Sequence, residues 1–137
     1  MHTEKSCGAV LFRKEKGMLL YLLLHHESGH WDFPKGHQEK GEEEHDTVMR
    51  EVREETGMGT IRILEGFNSI IRYNFKSRGA LVGKAVSFYI AETGSKEVRL
   101  SFEHIGFKWL EYNEALKLVT FSNSKELLEK VNAFLLN

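Results

Sequence analysis

Apolar residues in this chain fall into short blocks separated by charged or glycine-containing segments. "SCGAVLFR" (6–13) and "MLLYLLLHH" (18–26) flank the charged segment "KEKG", the pattern of two strands around a turn. "IRILEGFNSIIRYNFK" (61–76) and "LVGKAVSFYIAET" (81–93) read as a longer pair joined by "SRGA". In the second of these, Val86, Phe88 and Ile90 alternate with Ser87, Tyr89 and Ala91, the period of two expected of a strand. "FKWLEY" (107–112) predicts a short strand.

The helical signals are fewer. A helix over Glu43–Thr56 is predicted to stop at Gly57, a residue suited to a C-terminal cap. A second helix is predicted over 124–136, where Leu127, Leu128, Val131, Phe134 and Leu135 make an apolar stripe. "NEALKLV" (113–119) suggests a short third helix. Strands interleaved with packing helices predict a layered α/β domain.

Composition narrows the class. The 137 residues are 41% hydrophobic and 28% charged, an ordinary globular balance. No linker, repeat or low-complexity tract interrupts them, so residues 1–137 are expected to form one domain. A formal net charge of −1 gives no overall pull toward nucleic acid or an anionic membrane. The one cysteine, Cys7, cannot build an internal disulfide framework and reads as a buried strand thiol. The longest apolar run, 18–24, is far short of a membrane span. A cytoplasmic protein with no membrane partner is the simplest expectation; the pattern carries no signal for an oligomeric state.

One segment is at odds with this blandness. Eight of the seventeen residues from Glu39 to Glu55 are acidic. Like charges three or four residues apart destabilise a helix, and Arg50 and Arg53 offset only part of the repulsion. On a helix, Val48, Met49 and Val52 can face a core, while Glu51, Glu54 and Glu55 lie at i, i+3 and i+4 on a neighbouring face. A solvated helix face would favour mixed charge pairs instead. Converging carboxylates form a hard oxygen site suited to Mg²⁺, which takes few protein ligands and keeps room for water and phosphate. The preceding "WDFPKGHQEKGE" holds Pro34, Gly36 and Gly41, where backbone must turn or approach something closely.

This stretch resembles the Nudix box. Its fixed positions are met by Gly36, Glu42, Arg50, Glu51, Val52, Glu54, Glu55, Gly57 and Met58. The resemblance implies a Nudix fold: an α/β/α sandwich with a mixed β-sheet between helices. It also implies a hydrolase that uses Mg²⁺ or Mn²⁺ to cut a nucleoside diphosphate linked to another group. By position, Glu51, Glu54 and Glu55 would be metal carboxylates, joined by the Gly36 carbonyl. Arg50 would orient a glutamate, and Glu42 would support the loop or act near the metal. The base would be Glu54 or Glu55.

The rest of the chain resembles asymmetric diadenosine tetraphosphate hydrolases, through "WDFPKGHQEKGE", "LEGF" (64–67), "RYNF" (72–75), "GKAVSFYIAE" (83–92), "LSFEHIGFKWL" (100–110) and "LVTFSNSKELLEKVNAFL" (118–135). That resemblance implies a further metal-side carboxylate at Glu103 and phosphate contacts from Lys35 and Lys84. It implies aromatic contacts to the nucleotide from Tyr73 and Phe121, for each of which core packing is the competing role. The connection between Gly57 and "LEGF" is shorter than in that group. The expected ligand is therefore a dinucleoside polyphosphate, with no stable nucleic-acid partner. Competing expectations keep the chemistry with another substrate: RNA 5′ ends, nucleoside triphosphates or inositol pyrophosphates. A non-catalytic nucleotide-binding module would be expected to lose the box glutamates, which are all present. His25, His26 and His30 have no recognised zinc spacing. His37 belongs to the box region, and Trp31 and Trp109 read as packing residues.

Overall fold

The computed structural model describes residues 2–137. In chain order the elements are β1 (His2–Glu15), β2 (Met18–His26), β3 (Trp31–Asp32), β4 (Lys35–His37) and α1 (Glu44–Thr56). They continue with β5 (Arg62–Ile63), β6 (Ser69–Ser77), β7 (Ala80–Glu92), β8 (His104–Leu110), α2 (Tyr112–Leu118) and α3 (Ser122–Leu136). The strands form one mixed sheet. β1 and β7 run parallel in register from His2↔Val82 to Phe12↔Glu92, and the remaining pairings are antiparallel.

Two-residue turns set the hairpin registers. Lys16 and Gly17 join β1 to β2 with φ of 50° and 81°; Arg78 and Gly79 join β6 to β7 with φ of 53° and 78°. Positive φ at both central residues is the turn whose twist matches a hairpin, and glycine takes it without a Cβ penalty. The expected continuous strand over 61–76 is instead broken. Gly66, at φ 90°, lies in a loop between β5 and β6, so each of the two short pieces pairs β7 separately.

The central strands bury both faces. Val10, Phe12, Tyr21, Leu23, Val86, Phe88 and Ile90 pack with Leu127, Leu128 and Val131 of α3 and with Ala115 and Val119 around α2. Cys7, Ala9, Leu11, Leu22, Leu24 and Ala91 pack on the other side with Val48 and Val52 of α1 and with Met58. The sheet therefore lies between α1 on one face and α2 and α3 on the other, the α/β/α sandwich expected. This is why the alternation in β7 separates two cores rather than a core from solvent: Ser87 and Ala91 are as buried as their neighbours. Cys7 is fully buried, and burial pushes its thiol up to about 11, which disfavours the reactive thiolate.

Two expectations for the helices need correction. Met49 is only partly buried and joins neither core; the face of α1 turned inward is completed by Thr47, Glu55 and Thr56. In the α3 stripe, Phe134 stays at the margin, edge-on to Phe67 at 5.6 Å. The α1 terminus is as predicted: Gly57 adopts φ 76° and its N–H donates to the Arg53 carbonyl at 2.9 Å. Among the described residues, no helix is long and apolar enough to cross a membrane.

Candidate active site

The acidic helix α1 has two working sides, and Arg50 separates them. On one side its guanidinium closes the loop before the helix. Nε donates to Glu42 at 2.7 Å, and Nη2 donates to Glu42 at 3.0 Å and to the His37 carbonyl at 2.8 Å. Glu42 also accepts from the Glu39 N–H and the Thr47 hydroxyl, both at 2.9 Å. The Arg50 guanidinium beside it, with those further donors, draws the Glu42 carboxyl down to about 2. Glu42 is thereby tied into the loop before α1.

On the other side, Arg50 Nη1 donates to Glu51 at 2.7 Å and only distantly, at 3.3 and 3.4 Å, to Glu54. Glu51 and Glu55 turn into a cleft of about 490 Å³, and Glu103 enters it from the turn before β8. Its lining also includes Lys35, Gly36, Tyr73, Lys84, His26, His30, Asp32 and His104. The three helix carboxylates expected on one face thus divide. Glu54 is exposed and outside the lining, held by Arg50, and the third carboxylate comes from Glu103, far along the chain.

The carboxylate wall is electrostatically expensive. Glu55 is 9% exposed. Burial, reinforced by the Glu51 charge, pushes its carboxyl up to about 8. Burial also raises Glu51, with Arg50 opposing. His104 is the nearest basic group, its Nε2 lying 3.9 Å from Glu55 Oε1, but burial and the neighbouring His26 lower its own proton affinity.

The fit to a divalent cation can be judged from this wall. Gly36 lies in β4 opposite Cys7, and a Cβ at Gly36 would overlap the Glu51 carboxylate. Only glycine allows that carboxylate to lie against the β4 backbone, which brings the Gly36 peptide and Glu51 together. Among the described residues, no three His, Cys, Asp or Glu side chains converge closely enough to hold a metal ion by themselves. Spaced hard oxygens of this kind suit Mg²⁺ or Mn²⁺ sharing its shell with water and substrate phosphate, rather than an ion caged by protein alone. The donor set fits.

The rest of the lining is cationic and aromatic. Lys84 and Tyr73 face each other as cross-strand partners on β7 and β6, so a single register places both in the cleft. Lys35 is held by the buried Asp32: Nζ donates to Oδ2 at 3.2 Å, while Oδ1 accepts from Phe33 N–H at 2.9 Å and the Ser124 hydroxyl at 3.0 Å. Beyond Tyr73 the cleft opens into an apolar slot of about 240 Å³, lined by Ile71, Val86, Phe88 and Phe121. Phe121 precedes α3, is 45% exposed and lines the slot.

Asp32, His26, His30 and His104 are part of the site although residue patterns did not assign them to it. His26 and His30 stack at 4.5 Å and share the Ser28 hydroxyl. The one local signal was the position of His104 beside Glu103. Trp31 and Trp109 are packing residues as expected, stacked on His25 and under Arg13 respectively. A larger recess of about 680 Å³ lies behind the end of α1, but its lining of 56–60, 93–95 and 97–99 holds a single carboxylate, Glu97.

The whole arrangement has relatives. A family model for the NUDIX domain matches residues 2–131. The bis(5′-nucleosyl)-tetraphosphatase [asymmetrical] of Sus scrofa is 35% identical over 143 residues, covering 96% of this chain and 95% of that protein. Its Mus musculus counterpart is 34% identical with the same coverage. A solved structure of a C. elegans Ap4A hydrolase binary complex superposes with a TM-score of 0.85 at 33% identity, covering 96% of this chain and 97% of the other. The chain belongs to the Nudix family. Over nearly its full length it is similar to asymmetric diadenosine tetraphosphate hydrolases.

Proposed function

We propose that this protein hydrolyses dinucleoside polyphosphates, diadenosine tetraphosphate first among them, to ATP and AMP. The observation that carries this reading is the cleft itself. Carboxylates from Glu51, Glu55 and Glu103 line it together with Lys35 and Lys84, and an apolar slot beside Tyr73 and Phe121 continues from the same space. A polyphosphate needs cationic partners, a base needs a π face, and both lie within one ligand's reach here.

A divalent ion, Mg²⁺ or Mn²⁺, would be held by Glu51, Glu55 and Glu103 with the Gly36 carbonyl, and when bound it neutralises polyphosphate charge and makes water a better nucleophile. Glu54, weakly held by Arg50, would turn inward as the third box carboxylate. Arg50 keeps Glu51 pointed at the cleft by its 2.7 Å bond and keeps the loop of Gly36 in place through Glu42. Lys35 and Lys84 bind the phosphate chain and stabilise charge on the departing group. Tyr73 and Phe121 orient one nucleoside in the slot. The position of Glu55 inside the cleft supports it, over Glu54, as the acceptor of the water proton.

Product analysis tests the proposal. The protein is incubated with Mg²⁺ and diadenosine tetraphosphate, and in parallel with GTP, dATP and a triphosphorylated RNA. ATP and AMP formed far faster than any other product, and lost in Glu55→Gln, is the expected result. Pyrophosphate released from RNA or a triphosphate, with the dinucleotide intact, would remove the substrate assignment.

A further inference from the structure

A dinucleoside polyphosphate has two bases, and the apolar slot of about 240 Å³ beside the cleft has room for a single nucleoside. The second nucleoside must leave the cleft elsewhere. The turn that delivers Glu103 offers a surface for it.

Ser101, Phe102, Glu103 and His104 form a tight turn closed twice. The His104 N–H donates to the Ser101 carbonyl at 3.2 Å, and the Ser101 hydroxyl meets His104 Nδ1 at 3.2 Å. A third tie fastens it to the end of β2, where the Glu27 N–H donates to the Glu103 carbonyl at 2.9 Å. Phe102 and Glu103 are the two central residues. Glu103 enters the cleft, while Phe102 is 89% exposed, the largest exposure of any large apolar side chain described. A phenyl ring held in water beside a cleft carboxylate contributes nothing to either core. Because the turn is already pinned, stacking on it would cost little further backbone order.

We propose that Phe102 is the stacking platform for the second nucleoside, the one not held between Tyr73 and Phe121. The inference rests on the dinucleotide reading of the site. It makes Phe102 a specificity residue: it favours substrates carrying a base at both ends of the phosphate chain over those carrying one.

The test compares diadenosine tetraphosphate with adenosine 5′-tetraphosphate, which lacks the second nucleoside. In Phe102→Ala the ratio of kcat/KM values, dinucleotide over mononucleotide, falls about tenfold, the loss of one exposed base–aromatic stack. The fall appears in KM for the dinucleotide, and Phe102→Trp restores it. Phe102 is outside both cores, so an unchanged melting temperature is expected and excludes misfolding. An unchanged ratio, or an equal loss on both substrates, overturns the platform while leaving the hydrolase reading intact. Failure of the wild-type protein to cut the dinucleotide overturns both.

Discussion

Two glutamates thirteen residues apart on the same acidic segment, Glu42 and Glu55, stand at opposite electrostatic extremes. Glu42 lies in the loop, surrounded by the donors of Arg50, Glu39 and Thr47, and its carboxyl is drawn down to about 2. Glu55 lies on the buried side of α1, beside Glu51 and with no comparable cation, and is pushed up to about 8. The first region satisfies its charge within the chain. The second gathers carboxyls whose ionisation is costly within the chain alone. Glu55 is held largely neutral near neutral pH, and a bound cation would draw it into its charged form.

The largest expected effect comes from removing the charge on the unsatisfied side. Glu55→Gln should lower kcat/KM for diadenosine tetraphosphate by roughly a thousandfold or more while the chain stays folded, since it removes both a metal oxygen and the proposed proton acceptor. Initial rates at saturating Mg²⁺, with circular dichroism as a folding check, measure it. A loss under tenfold would mean that Glu55 is a structural residue after all.

Next is the junction between the two regions. Arg50→Ala leaves Glu42 without its main partner and frees Glu51, so activity should fall roughly ten- to a hundredfold, the range for partners that orient metal ligands. Gly36→Ala should fall in the same range for a different reason, because its Cβ occupies the space of the Glu51 carboxylate. Titration of Mg²⁺ separates them from a general defect: both variants should need more cation for half-maximal rate. If Mg²⁺ dependence is unchanged, the link between loop and cleft is broken.

The smallest effects concern stability and pH. Glu55 is raised from its ordinary 4.5 to about 8, so across that window the folded chain holds a proton that the unfolded chain has released. Its contribution is present below 4.5 and lost as pH rises through about 8. Metal-free protein should therefore melt lower near about pH 9 than near about pH 5. Millimolar Mg²⁺ should recover the loss at high pH, and Glu55→Gln should flatten the profile and abolish the recovery. Glu42 has the opposite sign: its contribution is lost only as pH falls from 4.5 toward about 2. A melt that rises with pH from 5 to 9 without metal would contradict the contrast between the two glutamates.

Much of this molecule was written in local pattern. The β2 bounds, the end of α1 at Gly57, the hairpin turns at 16–17 and 78–79, and the box from Gly36 to Met58 all depend on spacing, caps and positive-φ residues within a few positions of one another. These are properties a short window contains, because helix period, strand period and turn chemistry are set by near neighbours.

What only the tertiary structure decided depends on contacts between distant strands. The β2–β8 pairing carries His104 to His26, and the turn before β8 carries Glu103 to the helix carboxylates. The β6–β7 register sets Tyr73 opposite Lys84. Helical spacing put Glu54 with Glu51 and Glu55, but the packing of α1 buried Glu55 and left Glu54 with Arg50 in solvent. Even the alternation in β7 was decided by packing, since helices cover both faces of the sheet. Short-range chemistry determined which elements form and which residue types they bear. Which side chains meet across the cleft was settled by strand register and by the burial of α1 against the sheet, which no local window contains.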